Sequence, residues 1–360
     1  MKTTSLLFLF GFSSFLSHAQ SIASPTLTSG GSSAGILGSG STYYGFQAGK
    51  ISTAQFNTFI GNNTGMLNTG GSSNLFVGSF AGMGNVTGTN NVLLGTKSGV
   101  NVTGSNNTFT GTGSGTNLDQ TCPATACPNY GNNNSFFGAA SGSANSTGSN
   151  NVFLGSSSGF LNTNGQNNTY IGVNSGSKDN GSGNVFLGAN SGSLSAGKFP
   201  VSSINNQLFI DNSATTTPLI WGDFAMDQLK LNGKVGIGFG NLTIFPTSAG
   251  AVDVSNYKLF VAGGILAEEM RIKLRGPSNG LWADYVFLKE YKLKTIFEVE
   301  KYIKQNGHLE NVPTAEDVKK NGLNLSEIAR IQQEKIEELT LYMIEQAKKI
   351  KILEDILINK

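Results

Sequence analysis

The sequence predicts a mainly β protein. We expect a repetitive parallel β-roll or solenoid, a short β connector, a small α-rich region and a C-terminal coiled-coil helix. Three observations predict this fold: a glycine-rich phrase recurs at a fixed period, the repeats contain almost no charge, and helix formers dominate the end of the chain.

The chain begins with the features of a secretory signal peptide. Lys2 supplies a positive start, residues 6–16 are apolar, and Ser17-His18-Ala19 forms a small-residue cleavage site. We therefore assign residues 1–19 to a signal peptide and 20–40 to a linker, and expect an exported protein. No later stretch is long and apolar enough to span a bilayer, so we expect no membrane span in the mature chain.

Nine copies of one motif fill residues 41–192. The copies follow the pattern Asn-x-φ-φ-Gly-x-x-x-Gly, where φ is apolar, except that Ser41 replaces the asparagine of the first copy and Thr110 an apolar residue of the fifth. The steps between copies are 16 or 17 residues with one exception of 27. A fixed period of this size is the signature of a stacked solenoid. Glycine adopts positive φ without steric penalty, so the motif glycines predict sharp turns, and the leading asparagine favours ladders between coils. The glycines assigned to turns are Gly61, Gly78, Gly95, Gly138, Gly155, Gly172 and Gly188.

The single long step contains an insertion near residues 117–133. This insertion carries both cysteines of the chain, Cys122 and Cys127. One close pair of cysteines in an exported protein predicts a local disulfide, since a metal site would need more ligands nearby.

Two adjacent apolar residues in each copy, such as Phe153 and Leu154, predict association between chains. Adjacent side chains of a strand point to opposite faces, so one fills the coil and the other faces outward. An exposed apolar strip of that length should be buried against something. We therefore expect several copies of the chain to associate side by side.

Charge is distributed unevenly, and it excludes several classes of function. The net charge of +2 gives no electrostatic argument for nucleic-acid binding. Residues 41–192 hold five of the 46 charged residues (24 basic and 22 acidic), and only two of these, Asp119 and Asp179, are aspartates, too few for a calcium-binding roll. His308 is the single histidine after the predicted signal peptide. We therefore expect no catalytic activity, metal or cofactor.

The last part of the chain predicts strands followed by helices. Residues 193–265 have the pattern of a β-rich connector, and 266–324 that of a small α+β region with capping boxes at Thr295 and Thr314. Residues 325–360 predict a coiled coil, because apolar residues recur at alternating steps of three and four. The alternative is a helix that packs on its own domain. The predicted core positions are Ile336, Leu339, Met343, Ile350, Leu353 and Leu357.

Two resemblances add to these expectations. The phrase φ-φ-Gly-x-x-[Ser/Ala/Thr]-Gly, with its Asn and Gly turns, resembles the head domain of trimeric autotransporter adhesins, which implies a left-handed parallel β-roll built from three chains. The region from Glu268, which includes "WADYVFLKEYKLKTIFEVEKYIKQNGHLENVPTAEDVKKNG", resembles the C-terminal region of tail-fibre-like surface proteins from Bacteroidetes bacteria. It is distantly similar to the intramolecular chaperone of endosialidases and phage tail spikes, which implies a region that trimerises and sets the register of a fibre.

Members of that chaperone family cleave themselves near a Ser-Asp-x-Arg-Leu-Lys sequence. The corresponding place here is "EEMRIKLRGPSNGLWADY", which lacks the Ser-Asp pair, so we assign no catalytic residue. The prediction is an exported, homotrimeric structural fibre or adhesin-like protein, secreted or at the bacterial cell surface, whose rod presents a binding surface to a host or environmental surface or a glycan. The alternative is a tail-spike-like self-processing protein or hydrolase with a cleavable C-terminal chaperone.

Overall fold

The computed structural model describes residues 22–24, 27–116, 129–193, 203–240, 244–272 and 282–358. The chain divides into two compact units, with the boundary between Gly233 and Lys234. The predicted signal peptide and the predicted disulfide of Cys122 and Cys127 lie outside the described residues.

The first unit contains a parallel β-solenoid, which confirms the predicted repeat fold. Each coil contributes one short strand, and the strands follow each other in chain order through a single sheet. All pairs from β2 to β12 are parallel, and equivalent residues of successive motifs lie side by side, as Phe153 does with Phe136 and Tyr170. The coil strands are β3 (Ser41–Tyr44), β4 (Thr58–Ile60), β5 (Leu75–Val77), β6 (Val92–Leu94), β7 (Thr108–Thr110), β8 (Ser135–Phe137), β9 (Val152–Leu154), β10 (Thr169–Ile171) and β11 (Val185–Leu187).

The same sheet extends beyond the repeats in both directions. Before them, in the segment assigned to a linker, β1 (Ile22–Ser24) pairs antiparallel with β2 (Leu27–Gly30), and β2 pairs parallel with β3. After them, in the segment assigned to a connector, β12 pairs parallel with β11 and then continues as an antiparallel meander. The meander strands are β12 (Gln207–Ile210), β13 (Ile220–Asp223) and β14 (Gln228–Leu231).

A column of stacked rings fills the coils. The first residue of each apolar pair has no exposed surface, and the centroids of adjacent rings lie 4.6–5.4 Å apart. Each aromatic side chain removes about 150–250 Å² from water, so this column dominates the core. Its members are Tyr43, Phe59, Phe76, Leu93, Phe109, Phe136, Phe153, Tyr170 and Phe186.

A ladder of buried asparagines ties each coil to the next. The Oδ1 atom of Asn134 accepts the backbone N–H of Asn151 at 3.0 Å, and the Nδ2 atom of Asn134 donates to the carbonyl of Gly148 at 2.8 Å. The contacts therefore join side chain to backbone rather than one amide side chain to another. The same pattern recurs along the solenoid from Asn57 to Asn184, with backbone N–H to Oδ1 distances of 2.9–3.0 Å.

The motif glycines occupy backbone conformations that a residue with a Cβ atom rarely adopts. All seven turn glycines assigned from the sequence have φ between +116° and +139°. At Gly155, where φ is +139°, an added Cβ would lie 2.3 Å from the carbonyl oxygen of Gly172 on the next coil. Glycine is therefore required both by conformation and by the close approach of two backbones.

Asp179 is the one charged member of a second buried column, which otherwise contains Ser and Asn side chains and Val102. Its carboxylate accepts hydrogen bonds from the Tyr170 hydroxyl at 2.5 Å, the Ile204 backbone N–H at 2.9 Å and Asn184 Nδ2 at 3.0 Å. Burial raises the pKa of the Asp179 carboxyl above its ordinary value, and these donated hydrogen bonds oppose that rise. The described members of the column are Ser52, Asn68, Asn85, Val102, Asn129, Asn145, Asn162 and Asp179.

The second unit combines two small sheets with helices. β15 (Val235–Ile237) pairs parallel with β18 (Leu259–Val261), and β16 (Ser248–Ala249) pairs antiparallel with β17 (Val252–Asp253). A 3₁₀ helix (Ala283–Phe287) precedes α1 (Ile296–Asn306), α2 (Ala315–Asn321) and α3 (Leu325–Ile358). The capping boxes predicted at Thr295 and Thr314 are both present, at the first turns of α1 and α2.

We predict that Gly155→Ala strongly destabilises the solenoid. The strained φ alone costs a residue with a Cβ atom about 1–3 kcal/mol, and the contact with Gly172 adds to that cost. The matched control is Gly70→Ala, where φ is not positive and the nearest atoms to an added Cβ lie at 3.8 Å, so the free energy of unfolding should stay within about 1 kcal/mol of wild type. Urea denaturation of the three proteins measures both effects, and equal losses in the two variants would contradict the assignment.

We predict a pH dependence that Asp179→Asn removes. Because the folded-state pKa is raised, the stabilisation from this carboxyl is fully present below its unfolded pKa and is lost as pH rises through the folded pKa. The free energy of unfolding of wild type minus that of Asp179→Asn should therefore fall as pH rises from about 4. Denaturant titrations at a series of pH values and one protein concentration measure this difference. A difference that grows with pH would mean that the donated hydrogen bonds outweigh burial.

Candidate interaction surfaces

The coil strands expose two columns of side chains on the side of the sheet opposite to the stacked rings. We call these two columns the outer face. Several of its side chains are largely exposed, such as Tyr44 at 62% and Leu154 at 47%. One column consists of Tyr44, Ile60, Val77, Leu94, Thr110, Phe137, Leu154, Ile171 and Leu187. The other consists of Thr42, Thr58, Leu75, Val92, Thr108, Ser135, Val152, Thr169 and Val185.

The outer face is a long surface without charge. Nine strands at a spacing of about 4.8 Å make it roughly 40 Å long. Only Thr110 interrupts the apolar character of its first column. The second column contains both apolar residues and Thr or Ser. An exposed apolar column as long as the first is typical of an interaction surface, because its exposure to water is unfavourable.

Helix α3 leaves its predicted coiled-coil positions exposed. The apolar side chains at these positions, from Ile336 to Leu357, are between 54% and 73% exposed. From Met343 to Ile358 every residue of the helix is exposed. We call the exposed positions the α3 seam: Gln332, Ile336, Leu339, Met343, Gln346, Ile350, Leu353 and Leu357.

A different face of α3 packs against its own unit, and that face is largely charged. The buried residues of the helix are Ile331, Glu334 and Glu337. Tyr285 of the 3₁₀ helix donates a hydrogen bond to Glu334 and accepts one from Arg330 Nη1 at 2.9 Å. Burial works to raise the pKa of Glu334, but the hydrogen bonds from Tyr285 and Lys335 and the nearby cations outweigh it and lower that pKa.

Further charge-assisted contacts extend this face along the helix. Lys335 Nζ lies 2.9 Å from carboxylate oxygens of both Glu334 and Glu338, and these contacts raise the pKa of Lys335 against the effect of its burial. Tyr291 donates to Glu338, and the Tyr342 hydroxyl donates to the backbone carbonyl of Lys294 at 2.6 Å. The packed half of α3 is therefore held mainly by directed polar contacts.

The distribution of charged and apolar side chains on α3 is therefore the reverse of that usual for a surface helix. A surface helix of a monomeric domain turns its apolar stripe to the core and its charges to water. Here the carboxylates of Glu334 and Glu337 are buried while Ile336 and Leu339 are more than half exposed. As the alternative expects, α3 does pack on its own unit, but it does so through Ile331, Glu334 and Glu337 and not through the seam residues.

The described part of the second unit contains several surface cavities. One, of about 150 Å³, is lined by residues of α1 and α3 that include Tyr302 and Glu338. His308 Nδ1 lies 2.8 Å from the backbone carbonyl of Leu309, and its ring meets the edge of Tyr302. Within the described ranges, no group of three or more His, Cys, Asp or Glu side chains is placed to hold a metal ion.

No helix in the described part of the chain has the length and apolar character needed to cross a membrane.

Sequence reasoning identified the seam positions and the apolar pairs but not the packed face of α3. Charged residues beside an apolar heptad ordinarily face water, whereas here Glu337 is buried and Glu338 is bound by Lys335 and Tyr291. The sequence does place several acidic residues and a tyrosine close to Lys335 on this helix. That clustering alone does not indicate which neighbouring element the helix contacts.

Comparison with known proteins finds no match: no family model fits the chain, and neither a curated protein nor a solved structure is significantly similar to it.

Proposed function

We propose that this protein is an exported, non-catalytic structural protein that forms a homotrimeric fibre or adhesin-like assembly at or beyond the bacterial cell surface. The observation that carries the proposal is the exposed α3 seam. A helix with Ile336, Leu339, Met343, Ile350, Leu353 and Leu357 on one stripe in water is favourable only when that stripe is buried against a partner.

Another copy of the same helix is the partner that the spacing fits. The steps between seam residues alternate between three and four, which is the geometry in which two or more helices interlock as a coiled coil. Gln332 and Gln346 lie at d positions and would form polar layers. Such layers fix the register of a coiled coil at some cost in stability.

The number of chains rests on the resemblance of the repeats to a trimeric head domain. The a and d residues alone do not select three strands, because Ile at a with Leu at d favours two. The molar mass of the assembly decides between these numbers.

The solenoid supports a binding role for the assembled fibre. An exposed row of amides, including Asn90, Asn106 and Asn150, runs along one corner of the coils, and Asn90 Nδ2 donates to Asn106 Oδ1 at 3.2 Å. Amide groups both donate and accept hydrogen bonds. A surface of this kind suits a polar, uncharged ligand such as a glycan.

We predict that Ile350→Glu breaks the assembly whereas Ile352→Glu does not. The two side chains are similarly exposed, at 54% and 58%, but only Ile350 lies on the seam. A carboxylate at a seam position would be buried in the assembly beside its copies, which costs several kcal/mol per ion. Light scattering of the full chain measures the molar mass. Loss of assembly in both variants, or in neither, would contradict the seam.

We predict that the exported protein has the intact mass of residues 20–360. Removal of the signal peptide after Ala19 gives this mass, and the missing Ser-Asp pair argues against further cleavage. Intact-mass spectrometry of the secreted or surface-released protein measures it. A chain cut near residue 270 would instead favour the self-processing alternative.

A further inference from the structure

The outer face does not end with the repeats. Strand pairing places Leu208 and Ile210 of β12 beside Val185 and Leu187 of β11. It then places Gly222 and Ile220 of β13, and Leu229 and Leu231 of β14, in the same two columns. Directly paired residues of neighbouring strands share one face of the sheet, so both columns run without a break from β3 to β14.

The meander turns its lysine away from this face. Lys230 lies between Leu229 and Leu231 and therefore projects to the other side of the sheet. There its ammonium group lies 4.1 Å from the centroid of the Trp221 ring, and Trp221 is paired with Phe209 at the end of the ring column. Edge strands of monomeric proteins commonly carry outward charge, which prevents pairing with other chains. In β14 the outward positions are instead leucines, 63% and 48% exposed.

The absence of charge indicates what covers the outer face. In a symmetric assembly equivalent faces of the copies meet around one axis, so any charge on that face would approach its own copies. The chain has 46 charged residues (24 basic and 22 acidic), yet none lies in the two columns between β3 and β14. Charge is scarce on every face of the coils, but β13 and β14 do carry Asp223 and Lys230, and both lie at positions that alternate with the two columns. This placement favours further copies of the same chain as the partner.

Association through the repeats alone leaves the register undetermined. Successive coils present similar side chains, so a shift by one coil, about 4.8 Å, changes few contacts. The meander differs from the coils, because Gly222 supplies no side chain and is covered by the side chain of Leu208, and because both its later strands are antiparallel. A shifted copy would place coil side chains against the meander and leave the leucines of β14 in water.

We infer that the outer face of the meander, formed by Leu208, Ile210, Ile220, Leu229 and Leu231, is the contact that sets the register between copies of the solenoid. This inference rests on the proposed function, since it requires that the chains associate. It adds that the solenoids of different copies lie parallel without an axial shift. The meander of each copy then contacts the meanders of the other copies.

The test uses the full chain with p-benzoylphenylalanine, a photo-cross-linking amino acid, in place of Leu231. The matched control places it at Gln228, which is exposed on the same strand but points to the opposite face. We expect linked peptides joining position 231 to residues 208–231 of another copy. Their yield should exceed that from position 228 at least about tenfold, because alternate residues of a strand face opposite sides.

Four outcomes would overturn the inference. Equal yields from the two positions would refute the proposed register, and so would links from position 231 to the coils between 135 and 187. Either result would leave the proposed association of the chains intact. Absence of links in a protein that light scattering shows to be oligomeric would also refute the register. A monomeric full chain would overturn both the inference and the proposed function.

Discussion

The buried asparagine ladder is the interaction on which the rest of the solenoid depends. A coil of 16 or 17 residues has only one short strand, so many backbone groups at its corners need partners outside regular sheet pairing. One side chain, such as Asn151, satisfies a backbone N–H of the next asparagine and a glycine carbonyl at once. Each coil is thereby held at a fixed height and without lateral shift. The rings of the core can then stack, and the outward side chains line up in columns.

Much of the solenoid was predictable because its period and its faces are local properties of the sequence. The continuation into β12 was also present as a signal: Leu208-Phe209-Ile210 has the same order as Val185-Phe186-Leu187, although the glycines that follow are missing. The position of Lys230 over the Trp221 ring, where the lysine remains exposed, was not predictable, since the two residues lie on different strands. This position depends on a cation–π interaction between the Lys230 ammonium group and the ring of Trp221.

The predictability of α3 differs between its two faces for a physical reason. A heptad is visible in one segment, because residues at steps of three and four lie on one stripe of the same helix. The packed face depends instead on partners far away in the chain. Tyr285 lies 49 residues before Glu334, and the hydrogen bond between them leaves no periodic trace. The sequence therefore indicates where the helix can associate more clearly than how it is anchored.

The two ends of the solenoid differ from its coils and from each other. A hairpin of β1 and β2 stands at one end and the meander at the other, whereas the coils between them repeat. Asn150 and Asn167 have almost the same φ, +60° and +58°, and hold the same place in consecutive coils. Excision of residues 151–167 would thus join equivalent points and shorten the array by one strand spacing, about 4.8 Å. Gene duplication or deletion in whole coils can therefore change the reach of such a protein while both of its termini keep their structure.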